Sequence, residues 1–376
     1  MAPIRVGLLG LSADDTEGPT VGNWGVLAHL KPLLASPHYE LAAICNSSVE
    51  SSQKSINFHK LPETVKAYGN VEDLASDPDI DLVAISVNVG KHYQLAKPAL
   101  LKKKNVMIEW PLAASIDESR ELAELAQQQG VQTVVGLQLR SDPLLAKAKE
   151  LIESGSVGSI TSSVVLGCSS VIPSDVWIDE ATYYLDMKSG GNEFYIFFGH
   201  FLDAFTSVLG DFKTVQSVLK TQQLTVPTFS IKTGKQVESA HPRTAPDHVF
   251  VQGELSSGAV ASLSFRKAKK PVDGLGLRWL ITGTEGEIEI TFPEDHLQMG
   301  HAGRSIRFRS GKDDEVKVIK FGEEEPAYVG SVPYPGTNTA RLYEAFVKDN
   351  GQFPDFGAAL KTHELLDRIA KDSKFI

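Results

Sequence analysis

The sequence predicts an α/β protein in two parts: a parallel sheet covered by helices, then an α+β part with a large, mostly antiparallel open sheet. Three observations predict it. Apolar runs of strand length alternate with helical stretches from Ile4 to Leu137. After Arg140 the apolar positions mostly alternate, and turn pairs such as Ser257-Gly258 and Glu285-Gly286 separate them. Residues 337–371 then return to helical spacing, with Ala340, Leu342, Phe346, Leu365 and Ile369 in phase. A length of 376 residues fits two domains at roughly 100–200 residues each. The expected division is 1–138 for the parallel domain, 139–335 for the α+β domain, and 336–376 for a helical segment packing back on the body.

Element by element, Ile4–Leu9 is an apolar strand ending at Gly10, and residues 24–34 follow a Gly-rich loop as a helix. Tyr39–Cys45 is the second strand. Residues 80–87 form a third, almost continuously apolar, as a strand covered on both faces must be. A helix over 92–103 leads to the strand Asn105–Glu109. Residues 116–130 form a helix with Ser115 or Asp117 as cap and Gly130 as its left-handed stop, and 131–137 is another strand. Such alternation implies right-handed crossovers between parallel strands. Beyond it, 144–154 is a helix, and 160–166, 212–219, 248–255, 259–265, 277–282 and 287–292 are strands. A helix over 192–209 interrupts them.

Composition excludes several classes. A formal charge of −10, from 37 Lys+Arg against 47 Asp+Glu, argues against direct nucleic-acid binding, which needs a concentrated basic face. No uncharged apolar run approaches the roughly 20 residues of a spanning helix. Two cysteines, Cys45 and Cys168, make no disulfide framework, and the first ten residues read as a strand rather than a signal peptide. The expectation is a cytoplasmic protein. His29, His38, His59 and His92 are dispersed without ligand spacing, so no metal site is expected. The basic run Arg266-Lys267-Ala268-Lys269-Lys270 reads as a solvated edge or loop.

Gly7 and Gly10 close the first strand, where a dinucleotide fold brings backbone N–H groups and a helix N-terminus to a pyrophosphate. The strict Gly-x-Gly-x-x-Gly spacing is absent, so Leu11 and Ser12 complete the turn, with Ser12 and Thr20 as hydroxyl donors to phosphate. An ordinary strand-to-helix loop is an equal reading of these residues. The second strand ends in Asn46-Ser47-Ser48 in place of the acid that binds a ribose 2′-hydroxyl. A neutral turn does not repel a 2′-phosphate, yet no adjacent Arg clamps one, which predicts binding of NAD or NADP with NADP tolerated.

These residues carry a resemblance. Asp81-Leu-Val-Ala-Ile-Ser86, His92, Val106-Met-Ile-Glu109-Trp110-Pro111, Gly136-Leu-Gln138-Leu-Arg140, Gly190-Gly191 before His200, and Gly283-Thr-Glu-Gly286 together resemble the Gfo/Idh/MocA family of NAD(P)-dependent oxidoreductases along essentially the whole chain. Val89-Gly-Lys-His92-Tyr93, Glu109-Trp110 and Phe198-Gly-His200 resemble its branch of catalytically silent fungal regulators of the galactose regulon. The resemblance implies a Rossmann domain followed by an α/β domain whose open sheet often makes oligomer contacts. It places cofactor over Gly10, Leu11, Ser12, Asn46, Ser47, Ser48, Val87, Asn88, His92, Glu109, Trp110 and Gln138; an exposed face on the expected antiparallel sheet predicts a homodimer.

The resemblance also marks departures. The family's Glu-Lys-Pro is Glu109-Trp110-Pro111 here, and the Asp four residues before His200 is Ile196. Trp110 donates one hydrogen bond but exchanges no proton; a packed core aromatic is the rival to a cofactor-facing ring. The Trp110-Pro111 bond is a candidate cis peptide. His200 remains the best acid/base, its imidazole having an ordinary pKa near about 6.5. Among Tyr183, Tyr184, Asp186, Lys188, Glu193 and Tyr195, Lys188 and Tyr195 are the first choices for a substitute proton donor. Two functions follow. One is an oxidoreductase with an altered site, reducing a carbonyl or imine of a sugar or other small molecule. The other is a silent NAD(P)-binding regulator with a protein partner, in which case the nucleus is an alternative location.

Overall fold

The computed structural model describes residues 2–14, 22–169, 173, 175–293, 297–312, 315–348 and 353–373. By their internal packing they form two units, residues 1–141 with 325–363 and residues 142–324 with 364–376.

In the first unit β1 (Ile4–Leu9), β2 (Tyr39–Cys45), β3 (Lys66–Tyr68), β4 (Leu82–Ile85), β5 (Asn105–Glu109) and β6 (Thr133–Gly136) form one parallel sheet in the order β3-β2-β1-β4-β5-β6. The order turns back at β1, and the carboxyl ends of β1 and β4 there open a crevice for ligand. A π-helical turn, Gly25–Leu30, runs into α1 (Lys31–Ala35); α2 (Val49–Phe58), α3 (Val71–Ser76), α4 (His92–Leu101) and α5 (Ile116–Gln129) make the crossovers. Local chemistry sets their ends. Ser48, Asn70 and Ser115 each accept the N–H three residues on, and Gly130 stops α5 at φ 65°. Strands β4, β5 and β6 are buried almost throughout, which explains their unbroken apolar sequence.

The second unit opens with α6 (Pro143–Glu153), capped by Asp142. Its strands are β7 (Ile160–Ser169), β8 (Trp177–Ile178), β9 (Gln216–Lys220), β10 (Thr225–Phe229), β11 (Gln236–Pro242), β12 (His248–Glu254), β13 (Val260–Lys267), β14 (Leu277–Gly283), β15 (Gly286–Phe292), β16 (Ser305–Ser310) and β17 (Lys317–Val318). Eight of them form a sheet in the order β17-β16-β15-β14-β7-β13-β12-β9. Neighbours run antiparallel except β7 and β13, which are parallel. One face packs on a π-helical turn, Phe194–Phe198, and α7 (Gly199–Leu209), whose Phe198, Phe201 and Phe205 meet Phe265 and Trp279 with ring centroids 5.2–5.5 Å apart. The opposite face carries Val164, Leu166, Val218, Phe250 and Val260 partly exposed, all in register on one side. A second, three-stranded sheet, β11-β10-β8, was not foreseen.

The helical end is α8 (Ala327–Gly330), α9 (Thr337–Lys348) and α10 (Phe356–Lys371). Leu342, Tyr343 and Phe346 of α9 enter the core of the first unit beside Val6, Leu8 and Val26. No helix among the described residues is long and apolar enough to cross a membrane.

Candidate functional site

The carboxyl ends of β1, β2 and β4 open on a cleft of about 680 Å³ in the first unit. Its wall includes Gly10, Leu11, Ser12, Asn46, Ser47 and Val87 from the predicted set. The turn after β1 is built for close approach. Gly10 sits at φ +90°, and a Cβ there would lie 2.1 Å from the Ser86 carbonyl oxygen. Helix α2 pins the turn's carbonyls: Asn46 Nδ2 and Ser55 Oγ donate to the Leu11 oxygen at 2.9 and 2.7 Å, and His59 Nε2 lies 2.7 Å from the Ser12 oxygen. Ser12 Oγ is buried with no hydrogen-bond partner among the described residues. A buried hydroxyl left in this state costs free energy that a ligand oxygen recovers.

Asn46 shows why the usual acid is missing. Its amide also donates to Ser51 O and Ser55 Oγ at 3.3 and 3.1 Å. A carboxylate there would set oxygen against oxygen. Ser48 is the cap of α2 and Asn88 the cap of the short turn Val89–Lys91. Thr20 lies outside the described residues.

The remaining predicted residues of this unit are buried around the end of β5. Both ring nitrogens of His92 face carbonyl oxygens, Pro111 at 2.8 Å and Val87 at 3.0 Å. Burial pushes its pKa down, against the pull of those carbonyls and of Glu109. The Trp110-Pro111 bond is cis, and the Trp110 ring is 4.5 Å from that of His363. His363 Nε2 accepts the Leu112 N–H at 3.2 Å, and burial, with His92 nearby, lowers its pKa to about 3. Gln138 is buried with Oε1 unpartnered among the described residues.

Glu109 belongs to a buried chain that the sequence did not disclose. His29 Nε2 lies 2.8 Å from Glu109 Oε1, His29 Nδ1 lies 2.9 Å from Tyr343 Oη, and the Tyr39 hydroxyl donates to the Tyr343 carbonyl at 2.8 Å. Gly136 makes room for the carboxylate, since a Cβ there would meet Glu109 Oε2 at 2.5 Å. The pair Glu109–His29 is thus fixed and buried at the end of a central strand.

In the second unit His200 is buried on α7. Lys188 is exposed on a 3₁₀ turn, its N–H donating to Asp186 Oδ1 at 3.0 Å, and Tyr195 is half-buried, its phenol pKa raised by burial. Glu193 is the residue that sequence reasoning undervalued. Its carboxylate meets Lys267 Nζ at 2.6 Å and Arg243 Nη2 at 3.0 Å, and Arg243 Nη1 lies 3.8 Å from Asp247. Burial drives the Glu193 pKa up while the two cations hold it down. The expected solvated basic run is therefore half right: Lys269 is exposed beside Asp175, whereas Lys267 is a buried counter-ion. Among the described residues no cluster of metal-binding side chains occurs.

Comparison with known proteins agrees with this geometry. The oxidoreductase family with NAD-binding Rossmann fold matches residues 21–137, and the Gal80p C-terminal domain matches 143–292. Dehydrogenase aclE of Aspergillus oryzae is 30% identical over 296 residues, 77% of each chain. The chain belongs to the Gfo/Idh/MocA oxidoreductase family, near its Gal80 branch. The family member GAL80 of Saccharomyces cerevisiae, a galactose/lactose metabolism regulatory protein, is 28% identical over 335 residues, 86% of this chain and 74% of its own. The crystal structure of a super-repressor mutant of Gal80p from that yeast superposes with a TM-score of 0.84 at 25% identity, covering 99% of this chain and 96% of that one. The family's dinucleotide fits the first-unit cleft: Gly10 leaves no room for a side chain, and the Ser12 hydroxyl, without a partner among the described residues, offers a donor to phosphate.

Proposed function

We propose that this chain is an NAD(P)-dependent oxidoreductase with an altered proton-transfer site, reducing a carbonyl or imine of a sugar or other small molecule. The observation that carries the reading is the cleft at β1, β2 and β4, with a glycine turn that admits no side chain and a buried hydroxyl awaiting an acceptor. Gly10, Leu11 and Ser12 hold the pyrophosphate, and the neutral Asn46-Ser47-Ser48 turn tolerates a 2′-phosphate. Bound NAD(P)H supplies the hydride. Trp110 replaces the family's Lys and moves no proton, so the proton comes from His200, with Lys188 or Tyr195 as the substitute donor. Glu109 is held at the end of β5 by His29. Oxidation of an alcohol, which needs a strong base, is the disfavoured direction. The apolar residues on the open face of the large sheet support a homodimer, and the cytoplasm is the proposed location.

Trp110 and Ile196 favour a second reading, a catalytically silent NAD(P)-binding regulator with a protein partner, like GAL80. Loss of NAD(P)H absorbance against a panel of carbonyls and imines supports the enzyme. Calorimetric binding of cofactor with no turnover on any of them overturns the enzyme in favour of the regulator, and no heat with either coenzyme overturns both.

A further inference from the structure

The turn after β1 lacks the strict glycine spacing of a dinucleotide loop, yet its carbonyls are held from outside. Gly25 supplies one small residue: a Cβ there would lie 2.7 Å from the Gly10 oxygen. The next two carbonyls are held by side chains that follow β2. Asn46 Nδ2 and Ser55 Oγ donate to the Leu11 oxygen at 2.9 and 2.7 Å, and His59 Nε2 meets the Ser12 oxygen at 2.7 Å. A carbonyl only accepts, so Nε2 of His59 carries a proton. Ser55 and His59 stand one helical turn apart at the end of α2, side by side. The Phe58 ring meets the His59 ring edge-on, with centroids 5.0 Å apart. A peptide unit is planar and trans, so its C=O and N–H point opposite ways. Holding the Leu11 carbonyl therefore aims the Ser12 N–H away from these anchors, and holding the Ser12 carbonyl does the same for the Ala13 N–H. Neither N–H bonds to another described residue, and Leu11, Ser12 and Ala13 all line the cleft. Successive N–H groups turned to one side make an anion-binding concavity.

We propose that His59 is a positioning residue for coenzyme binding: together with Ser55 it holds the Leu11 and Ser12 carbonyls so that the Ser12 and Ala13 N–H groups converge on a diphosphate. This rests on the cofactor-cleft reading above and deepens it. His59 touches no ligand. It does from the end of α2 what a strict glycine pattern does from within the loop, which accounts for a turn that keeps Leu11 and Ser12 where that pattern is broken.

Two readouts on the full chain test it: calorimetric affinity for ADP-ribose, which carries the diphosphate without the nicotinamide, and amide hydrogen exchange along β1 and its turn. His59→Ala is expected to weaken ADP-ribose binding about five- to tenfold, the range of one hydrogen bond. In the same variant without ligand, the Ser12 and Ala13 amides exchange faster while Val6 and Leu8 of β1 keep their protection. His59→Gln, whose side-chain amide also donates, restores both. Ser55→Ala has a smaller effect, because Asn46 still holds the Leu11 carbonyl. Unchanged ADP-ribose affinity in His59→Ala overturns the positioning role and leaves the cofactor reading standing. Faster exchange throughout β1, with the same loss of affinity in His59→Gln, marks His59 as general scaffold and also overturns it. No heat from ADP-ribose, NAD or NADP with the unaltered chain overturns the cofactor reading itself.

Discussion

Two polar groupings, one in each unit, differ in how their buried atoms are satisfied. In the first, the cleft wall holds Ser12 Oγ, buried with no hydrogen-bond partner among the described residues. In the second, Glu193, Lys267, Arg243 and Asp247 are as deeply buried but pair with one another at 2.6–3.8 Å. A buried polar group without a partner costs free energy that a ligand recovers; paired ones hold a fold in one arrangement. The difference supports reading the first as a binding site and the second as scaffold.

The comparison breaks first at Gly10. A Cβ placed 2.1 Å from the Ser86 oxygen, on a backbone at φ +90°, forces the turn open. Gly10→Ala is expected to abolish coenzyme binding by calorimetry, a loss of more than about hundredfold. On the scaffold side, Glu193→Gln removes the carboxylate that Lys267 and Arg243 share, and denaturant unfolding is expected to show a loss of about 3–5 kcal/mol without a selective effect on nucleotide affinity.

A pH series sharpens the picture for the first unit. His363, with a pKa of about 3, stays neutral in the folded chain while an unfolded imidazole takes up its proton near about 6.5. Between those values the unfolded state holds the extra proton, so stability falls as pH falls, by up to about 1.4 kcal/mol per pH unit. His363→Gln is expected to flatten that slope in unfolding curves. The smallest effect belongs to Ser12→Ala. It removes a hydroxyl that the empty protein does not satisfy, so thermal stability should hold or rise slightly while coenzyme affinity drops about tenfold. A matching fall in stability would show that Ser12 is scaffold after all.

Much of the fold was legible because continuous apolar runs have few alternatives: β1, β2 and β5 begin and end at the residues that their sequence marks. Helix α2 was not, since Val49-Glu-Ser-Ser-Gln-Lys54 offers little apolar period and its anchor, the Ser48 cap, is a single residue. The parallel pairing of β7 with β13 was also out of reach, because strand alternation reports burial and not direction. At the site, Gly10 and Asn46 could be read from their place after a strand. The His29–Glu109–Tyr343 chain could not, because its members are 80 and 314 residues apart in sequence and meet only through packing.

The return of residues 325–363 to the first unit has a temporal consequence. The β6 amide of Val135 bonds to Pro354 at 2.8 Å, and Tyr343 closes on His29. A ribosome therefore releases the coenzyme half unfinished, synthesises the whole intervening sheet, and only then delivers the segment that completes it. Nascent chains arrested before Tyr343 emerges would expose an open flank on a half-built nucleotide domain, the stage at which a chaperone has most to cover.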